Sequence, residues 1–115
     1  MNFLRGGVLL ALVGCGGDLG SVLPAPGSCN VPSTGTCTDY TGSAWQVPSS
    51  GQRACAMVPG GSYTQAVCGS SGRVGTCRVQ AGSSSELSVR YYSARFNAQT
   101  APPACAAMGG SYAGG

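Results

Sequence analysis

Early in the chain, apolar residues come as one block. Gly6-Gly7-Val8-Leu9-Leu10-Ala11-Leu12-Val13 carries no charged or polar side chain and directly follows Arg5. Past Cys15 the block gives way to a Gly-, Pro- and Ser-rich stretch from Gly16 to Ser28. Farther on, the period is two. Arg73-Val74-Gly75-Thr76-Cys77-Arg78-Val79 and Leu87-Ser88-Val89-Arg90-Tyr91-Tyr92 alternate polar and apolar, which predicts two half-buried strands. The residues between them, 80–86, make a connection of hairpin length. A short helix is predicted on either side. In the later one Thr100 caps, Pro102 and Pro103 fall in the first turn where a missing N–H costs little, and Gly109 supplies a left-handed exit. In the earlier one Ser49 or Ser50 caps a turn or two through Ala56, weakened by Gly51.

Both helices run into similar sequence. Ala54-Cys55-Ala56-Met57-Val58-Pro59-Gly60-Gly61-Ser62-Tyr63 parallels Ala104-Cys105-Ala106-Ala107-Met108-Gly109-Gly110-Ser111-Tyr112, with one residue's difference between Cys and Gly-Gly. Two helix–Gly-Gly–strand units make Cys55 and Cys105 equivalent positions, and Ser111-Tyr112 starts a strand. With a further strand near residues 62–67 joined to the hairpin, the expected fold is α+β. It is a small disulfide-stapled domain over residues 29–115, a short antiparallel sheet with two short helices.

Composition explains the staples. The chain has 115 residues, of which 20 are glycine, and large aliphatic side chains are thin. A core of that size is marginal on burial alone. Seven cysteines are present and no histidine. No pair has the C-x-x-C spacing of a zinc knuckle or a thioredoxin-type site, so no metal site is expected and disulfides are. Seven is odd. Setting Cys15 aside leaves Cys29, Cys37, Cys55, Cys68, Cys77 and Cys105, enough for three bridges, and six cysteines allow fifteen pairings. The preferred set has Cys29–Cys37 and Cys68–Cys77 as local clasps and Cys55–Cys105 as the long-range staple.

The N-terminal block has the layout of a secretory signal: a basic start, an apolar run within the roughly 7–15 residues typical of such leaders, and a small residue before the cut. It is too short for a bilayer span, which takes about 20 apolar residues. Leu12-Val13-Gly14-Cys15 resembles the lipobox of bacterial lipoproteins. That resemblance implies cleavage before Cys15, a diacylglycerol thioether on its sulfur and an acyl chain on the new amine. Residues 1–14 are then a signal peptide and 15–28 a flexible lipidated tether. The covalent lipid on Cys15 is the only non-protein group expected, with no cofactor besides. Gly16 follows the lipidated position, where an Asp favours inner-membrane retention in Gram-negative bacteria. The anchor therefore points to the cell membrane, and to the outer membrane if the host is Gram-negative.

Cys55…Gly60-Gly61-Ser62-Tyr63, Val74-Gly75-Thr76-Cys77, Tyr91-Tyr92 and Cys105…Gly109-Gly110-Ser111-Tyr112, behind a lipobox, also resemble small cysteine-rich envelope lipoproteins of high-GC Gram-negative bacteria. The resemblance implies a shared fold unit and no activity.

Charge narrows the function classes. All six basic residues are arginine; removal of Arg5 with the leader leaves five against Asp18, Asp39 and Glu86, a net +2 without clusters, and no nucleic-acid partner is expected. Acid–base catalysis has little to work with: no histidine or lysine, and only Asp39 and Glu86 as domain carboxylates. Serines without such a base are unactivated. No catalytic residue is assigned. Aromatic rings are the better clue, because rigid amphipathic rings serve binding surfaces for sugars and proteins. Trp45, in a polar stretch, and one of Tyr91 and Tyr92, whose side chains face opposite ways, are the expected exposed rings.

The expected role is a non-enzymatic structural or binding one at the cell envelope, held to the membrane by lipid, with an envelope protein or glycan as partner. The alternative is a dedicated surface module for carbohydrate or protein, inhibitor- or adhesin-like. A stripe of exposed rings would favour sugar, and a disulfide-braced protruding loop would favour protein. Third comes a small envelope hydrolase using Asp39 or Glu86, which carboxylates meeting in a cleft would favour.

Overall fold

A computed structural model describes residues 26–114. The expected signal peptide, the lipobox-like stretch with Cys15 and the expected tether as far as Ala25 lie outside the described residues.

Alternation of polar and apolar side chains produces the expected hairpin. β4 (Arg73–Val79) and β5 (Leu87–Tyr92) pair antiparallel with Cys77 opposite Val89 and Thr76 opposite Arg90. A bulge at Arg73/Gly75 shifts the register by one residue. The bulged strand can then carry Val74 and Cys77 toward one face and Arg73 and Thr76 toward the other.

A second hairpin precedes it. β1 (Ser28–Val31) and β2 (Thr36–Tyr40) pair with Cys29 opposite Thr38 and Asn30 opposite Cys37, joined through a turn in which Gly35 takes φ 71°. Sequence patterning does not predict these strands. The folded chain also begins earlier than residue 29. Ser28 is buried, Gly27 accepts the Tyr40 N–H, and Pro26 accepts the Tyr63 hydroxyl at 2.5 Å.

The two hairpins join through β2 and β5, with Thr38 opposite Val89 at the centre. β3 (Ser62–Thr64) pairs with β1, and β6 (Ser111–Gly114) pairs with β4. The result is one six-stranded antiparallel sheet in the order β3-β1-β2-β5-β4-β6. The strand expected near residues 62–67 thus exists, but it closes the first hairpin rather than joining the second.

One helix follows each hairpin: α1 (Ser50–Ala56) and α2 (Ala101–Ala107). The exits are as expected, with Gly60 and Gly109 at φ 78° and 73°. Capping differs from expectation. Ser49 stands at the start of α1 in a left-handed conformation without a side-chain cap bond, and Ser50 Oγ turns back to the Val47 carbonyl at 2.8 Å. Thr100 makes no cap bond either. Its hydroxyl accepts the Asn97 N–H, and Asn97 Oδ1 accepts the N–H groups of Gln99 and Thr100, each at 2.9 Å.

Disulfides join each helix to the first strand of its own hairpin: Cys29–Cys55 and Cys77–Cys105. The third, Cys37–Cys68, ties β2 to the segment linking β3 and β4. All six domain cysteines are bridged, but none of the preferred pairings forms. The reason is sheet geometry, since successive side chains on a strand point to opposite faces. Cys29 lies across from Thr38 on the helix side, whereas Cys37 lies across from Asn30 on the other. Cys77 is likewise buried beneath α2, on the face away from Cys68. Cys55 and Cys105 are equivalent, as expected, and for that reason each is used within its own half.

The core is correspondingly two small clusters, not one. Cys29, Val31, Tyr40 and Cys55 form the first, with Trp45 and Tyr63 against them. Cys77, Val89, Tyr91, Ala101 and Cys105 form the second, with Phe96 and Tyr112 against them. Even the ring contacts match, Tyr40–Trp45 at 4.8 Å between centroids and Tyr91–Phe96 at 4.7 Å. In each half a tyrosine of the edge strand lies over a glycine and donates to the carbonyl before it: Tyr63 over Gly27 to Pro26, Tyr112 over Gly75 to Val74.

Candidate functional site

The expected ring surface does not form as a stripe. Tyr91 is 1% exposed and fills the second core cluster, which removes it from the candidate binding residues. Trp45 is half-buried against Tyr40, and its indole N–H donates to the Glu86 carbonyl at 3.0 Å. Tyr92 does point to the opposite face from Tyr91, where its hydroxyl donates to the Gly69 carbonyl at 2.6 Å. These rings hold the protein together because a small, aliphatic-poor domain has little else to fill its interior.

Nor do Asp39 and Glu86 form a carboxylate pair with each other. Each is held by its own arginine, Asp39 by Arg90 at 2.9 Å and Glu86 by Arg78 at 2.8 Å. The Arg78 hydrogen bond holds the Glu86 carboxyl below the usual range, and Glu86 in turn raises the Arg78 guanidinium. Burial raises the phenols of Tyr40 and Tyr91, helped by the neighbouring Tyr63 and Tyr112 respectively.

The most organised surface lies on the face of the sheet away from the helices, where residues 65–72 cross as a loop. Its fastening is dense. Cys68 is bridged to Cys37, and its N–H donates to Asp39 Oδ1 at 2.8 Å. Arg73 Nη2 donates to the carbonyls of Cys68 at 3.2 Å and Gly69 at 3.0 Å, and the Tyr92 hydroxyl reaches Gly69 as well. Ser28 Oγ donates to the Ala66 carbonyl at 2.7 Å. Beneath, Arg90 bridges Asp39 and Thr76, with its Nη1 2.9 Å from the Thr76 hydroxyl. Asp39 is only 7% exposed at its side chain and gives both oxygens to this arrangement. At the crest, held by these anchors, Val67 is 71% exposed.

Beside the loop opens a cleft of about 410 Å³, lined among others by Pro26, Gln46, Val67, Asp39, Arg73 and Arg90. A second concavity, of about 420 Å³, lies on the helix side between the two core clusters; Val31, Val58, Val89, Phe96 and Met108 line it. Among the described residues no helix is long and apolar enough to cross a membrane.

The loop and its two arginines were not singled out by sequence reasoning. The usable signal was parity within strands: in β5, Ser88, Arg90 and Tyr92 are the polar partners of Leu87, Val89 and Tyr91, and they share one face. What they face depends on the β2 pairing and on Cys68, neither of which local pattern reveals. Compared with known protein families, curated proteins and solved structures, the chain matches none.

Proposed function

We propose that this chain is a lipid-anchored cell-envelope protein with a non-enzymatic role, binding another envelope protein through the loop at residues 65–72. The observation that carries the reading is the Cys37–Cys68 bridge and the ring of bonds around it. The other two disulfides hold helices on a sheet; this one holds an irregular loop with an apolar residue at its crest. Ordering a loop before binding removes a cost that would otherwise fall on association. Internal use of the rings favours protein over glycan as the partner. Neutralisation of Asp39 and Glu86 by separate arginines supports binding over hydrolysis. The lipobox at Cys15 and the odd cysteine count support the anchor, and two or three acyl chains make it firm.

Two measurements test this. Intact mass of the membrane-extracted protein, before and after reduction, should give a chain starting at a lipid-bearing Cys15 that gains two hydrogens per disulfide. A mature chain starting elsewhere, without lipid, sinks the anchor. A photo-crosslinking residue at position 67 should trap one discrete envelope protein, and the Cys37→Ser, Cys68→Ser double variant should lose it. Equal trapping from position 103, exposed on α2, would refute recognition by the loop.

A further inference from the structure

The cleft beside the loop holds more positive charge than it neutralises. Arg73 and Arg90 both line it, and among the described residues Asp39 is the sole carboxylate that does. Both oxygens of Asp39 are committed, one to the Cys68 N–H at 2.8 Å and the other to Arg90 Nε at 2.9 Å. Glu86, the other carboxylate among the described residues, is held by Arg78. That leaves Arg73 with neutral partners. Its Nη2 donates to two carbonyls, and its buried Nε has no hydrogen-bond partner among the described residues. A guanidinium drawn partly out of water without an anion is unfavourable, and Nη1 is the donor left among the described residues to meet one.

We infer that this cleft is a subsite for one carboxylate on an aliphatic stem: an Asp or Glu side chain, or a chain terminus, of the protein that the loop engages. The inference rests on the reading of the loop as a protein-binding element and specifies the chemistry of its partner. Two guanidiniums against one carboxylate leave a single net charge, which suits a monoanion better than a phosphate dianion. Pro26 and the exposed Val67 in the cleft's lining suit methylene groups next to that charge.

The test follows the arginine Nε–H resonances of the full chain in detergent micelles at constant ionic strength. The probe is N-acetyl-glutamate N-methylamide, compared with its glutamine analogue and with inorganic phosphate. Arg73 and Arg90 should shift and saturate with a dissociation constant in the millimolar range, as a fragment this small allows. Arg53 and Arg95 should not saturate, and the glutamine analogue should have no effect. Arg73→Gln, its amide spectrum otherwise unchanged, should weaken binding at least about tenfold, and Arg53→Gln should leave it unaltered. Uniform shifts at all arginines, no saturation, or preference for phosphate would overturn the proposal. So would movement of the Arg73 resonance on Asp18→Asn with no probe present, which would assign the charge to the chain's own tether. A crosslink from position 67 without saturation at Arg73 overturns the carboxylate subsite alone. Saturation without a crosslink overturns the partner protein and, with it, this assignment of the anion.

Discussion

The half running from Pro26 to Thr64 and the half from Arg73 to Gly114 share their supports and differ at their seam. Each consists of a hairpin, a helix and an edge strand. Each bridges its first strand to its helix, lays a tyrosine over a glycine, and packs a second tyrosine against another ring. Cys29 sits across from Thr38 as Cys77 sits across from Val89, which makes Thr38 and Val89 equivalent, and these two face each other between β2 and β5. One residue on, Asp39 corresponds to Arg90; one residue back, Cys37 corresponds to Ser88. Identical charges at the first of these positions would repel across the seam, whereas the unlike pair forms an ion pair at 2.9 Å. A cysteine in one half only leaves its partner to come from the linking loop. The matched positions carry the fold, and the unmatched ones build the polar face with its braced loop and cleft.

The largest test of that comparison is removal of the matching bridges. Cys29→Ala/Cys55→Ala and Cys77→Ala/Cys105→Ala open loops of nearly equal length, with sequence separations of 26 and 28. Each should cost about 3–4 kcal/mol in denaturant unfolding. A difference above about 1 kcal/mol, beyond what loop length predicts, would show that the halves bear load unequally.

Next come the glycines against which the bridges pack. A Cβ on Gly61 would stand 2.8 Å from the Cys29 sulfur and 3.0 Å from the Cys55 carbonyl, and one on Gly110 would overlap the Cys77 sulfur and crowd the Arg78 carbonyl. Gly61→Ala and Gly110→Ala should each destabilise by about 1–3 kcal/mol, the cost typical of overpacking. Gly110→Ala should be the worse of the two because its clash is deeper. Neutral behaviour of either variant in thermal unfolding would mean that helix and sheet are free to separate there.

A smaller effect belongs to one half alone. The folded pKa of Glu86 is lowered by Arg78, so its contribution is present above the unfolded carboxyl value of about 4.3 and is lost as the pH falls through the lowered folded value. Glu86→Gln should flatten the acid limb of the stability–pH curve and leave the neutral region nearly unchanged. Retention of the same acid slope in that variant would assign it to another group.

The finest comparison is spectroscopic. Tyr40 and Tyr91 occupy equivalent places, and burial raises both phenols. Both should ionise later than a free tyrosine in an alkaline absorbance titration. The stability they confer is complete below the unfolded value of about 10 and is lost as the pH rises through the raised folded values. Tyr40→Phe and Tyr91→Phe should each delete one late step. If only one variant does so, the two core clusters are not equally closed.

The second half was the more legible in sequence because its strands are longer. In β4 and β5 several alternating pairs accumulate, and the Pro-Pro start and Gly109 exit of α2 act locally. β1 has four residues and β2 five, with Asn30, Thr36 and Thr38 diluting the apolar pattern. Strands that short are set by their neighbours more than by their own periodicity. Burial of Tyr91 was hidden for a related reason: two adjacent tyrosines announce opposite directions, and only the position of α2 decides which direction is inward.

By itself, then, the sequence determined the local and the countable: the hairpin at 73–92, two short helices with glycine exits, six domain cysteines sufficient for three bridges, and the equivalence of Cys55 with Cys105. Pairing of those cysteines, association of the hairpins through β2 and β5, and the meeting of Asp39, Arg90, Arg73 and Cys68 were decided only in three dimensions. Turn chemistry and strand period act over a few residues. Which side of a sheet a cysteine or an arginine shares with a distant loop depends on strand register, and a one-residue change in register sends every side chain to the other face.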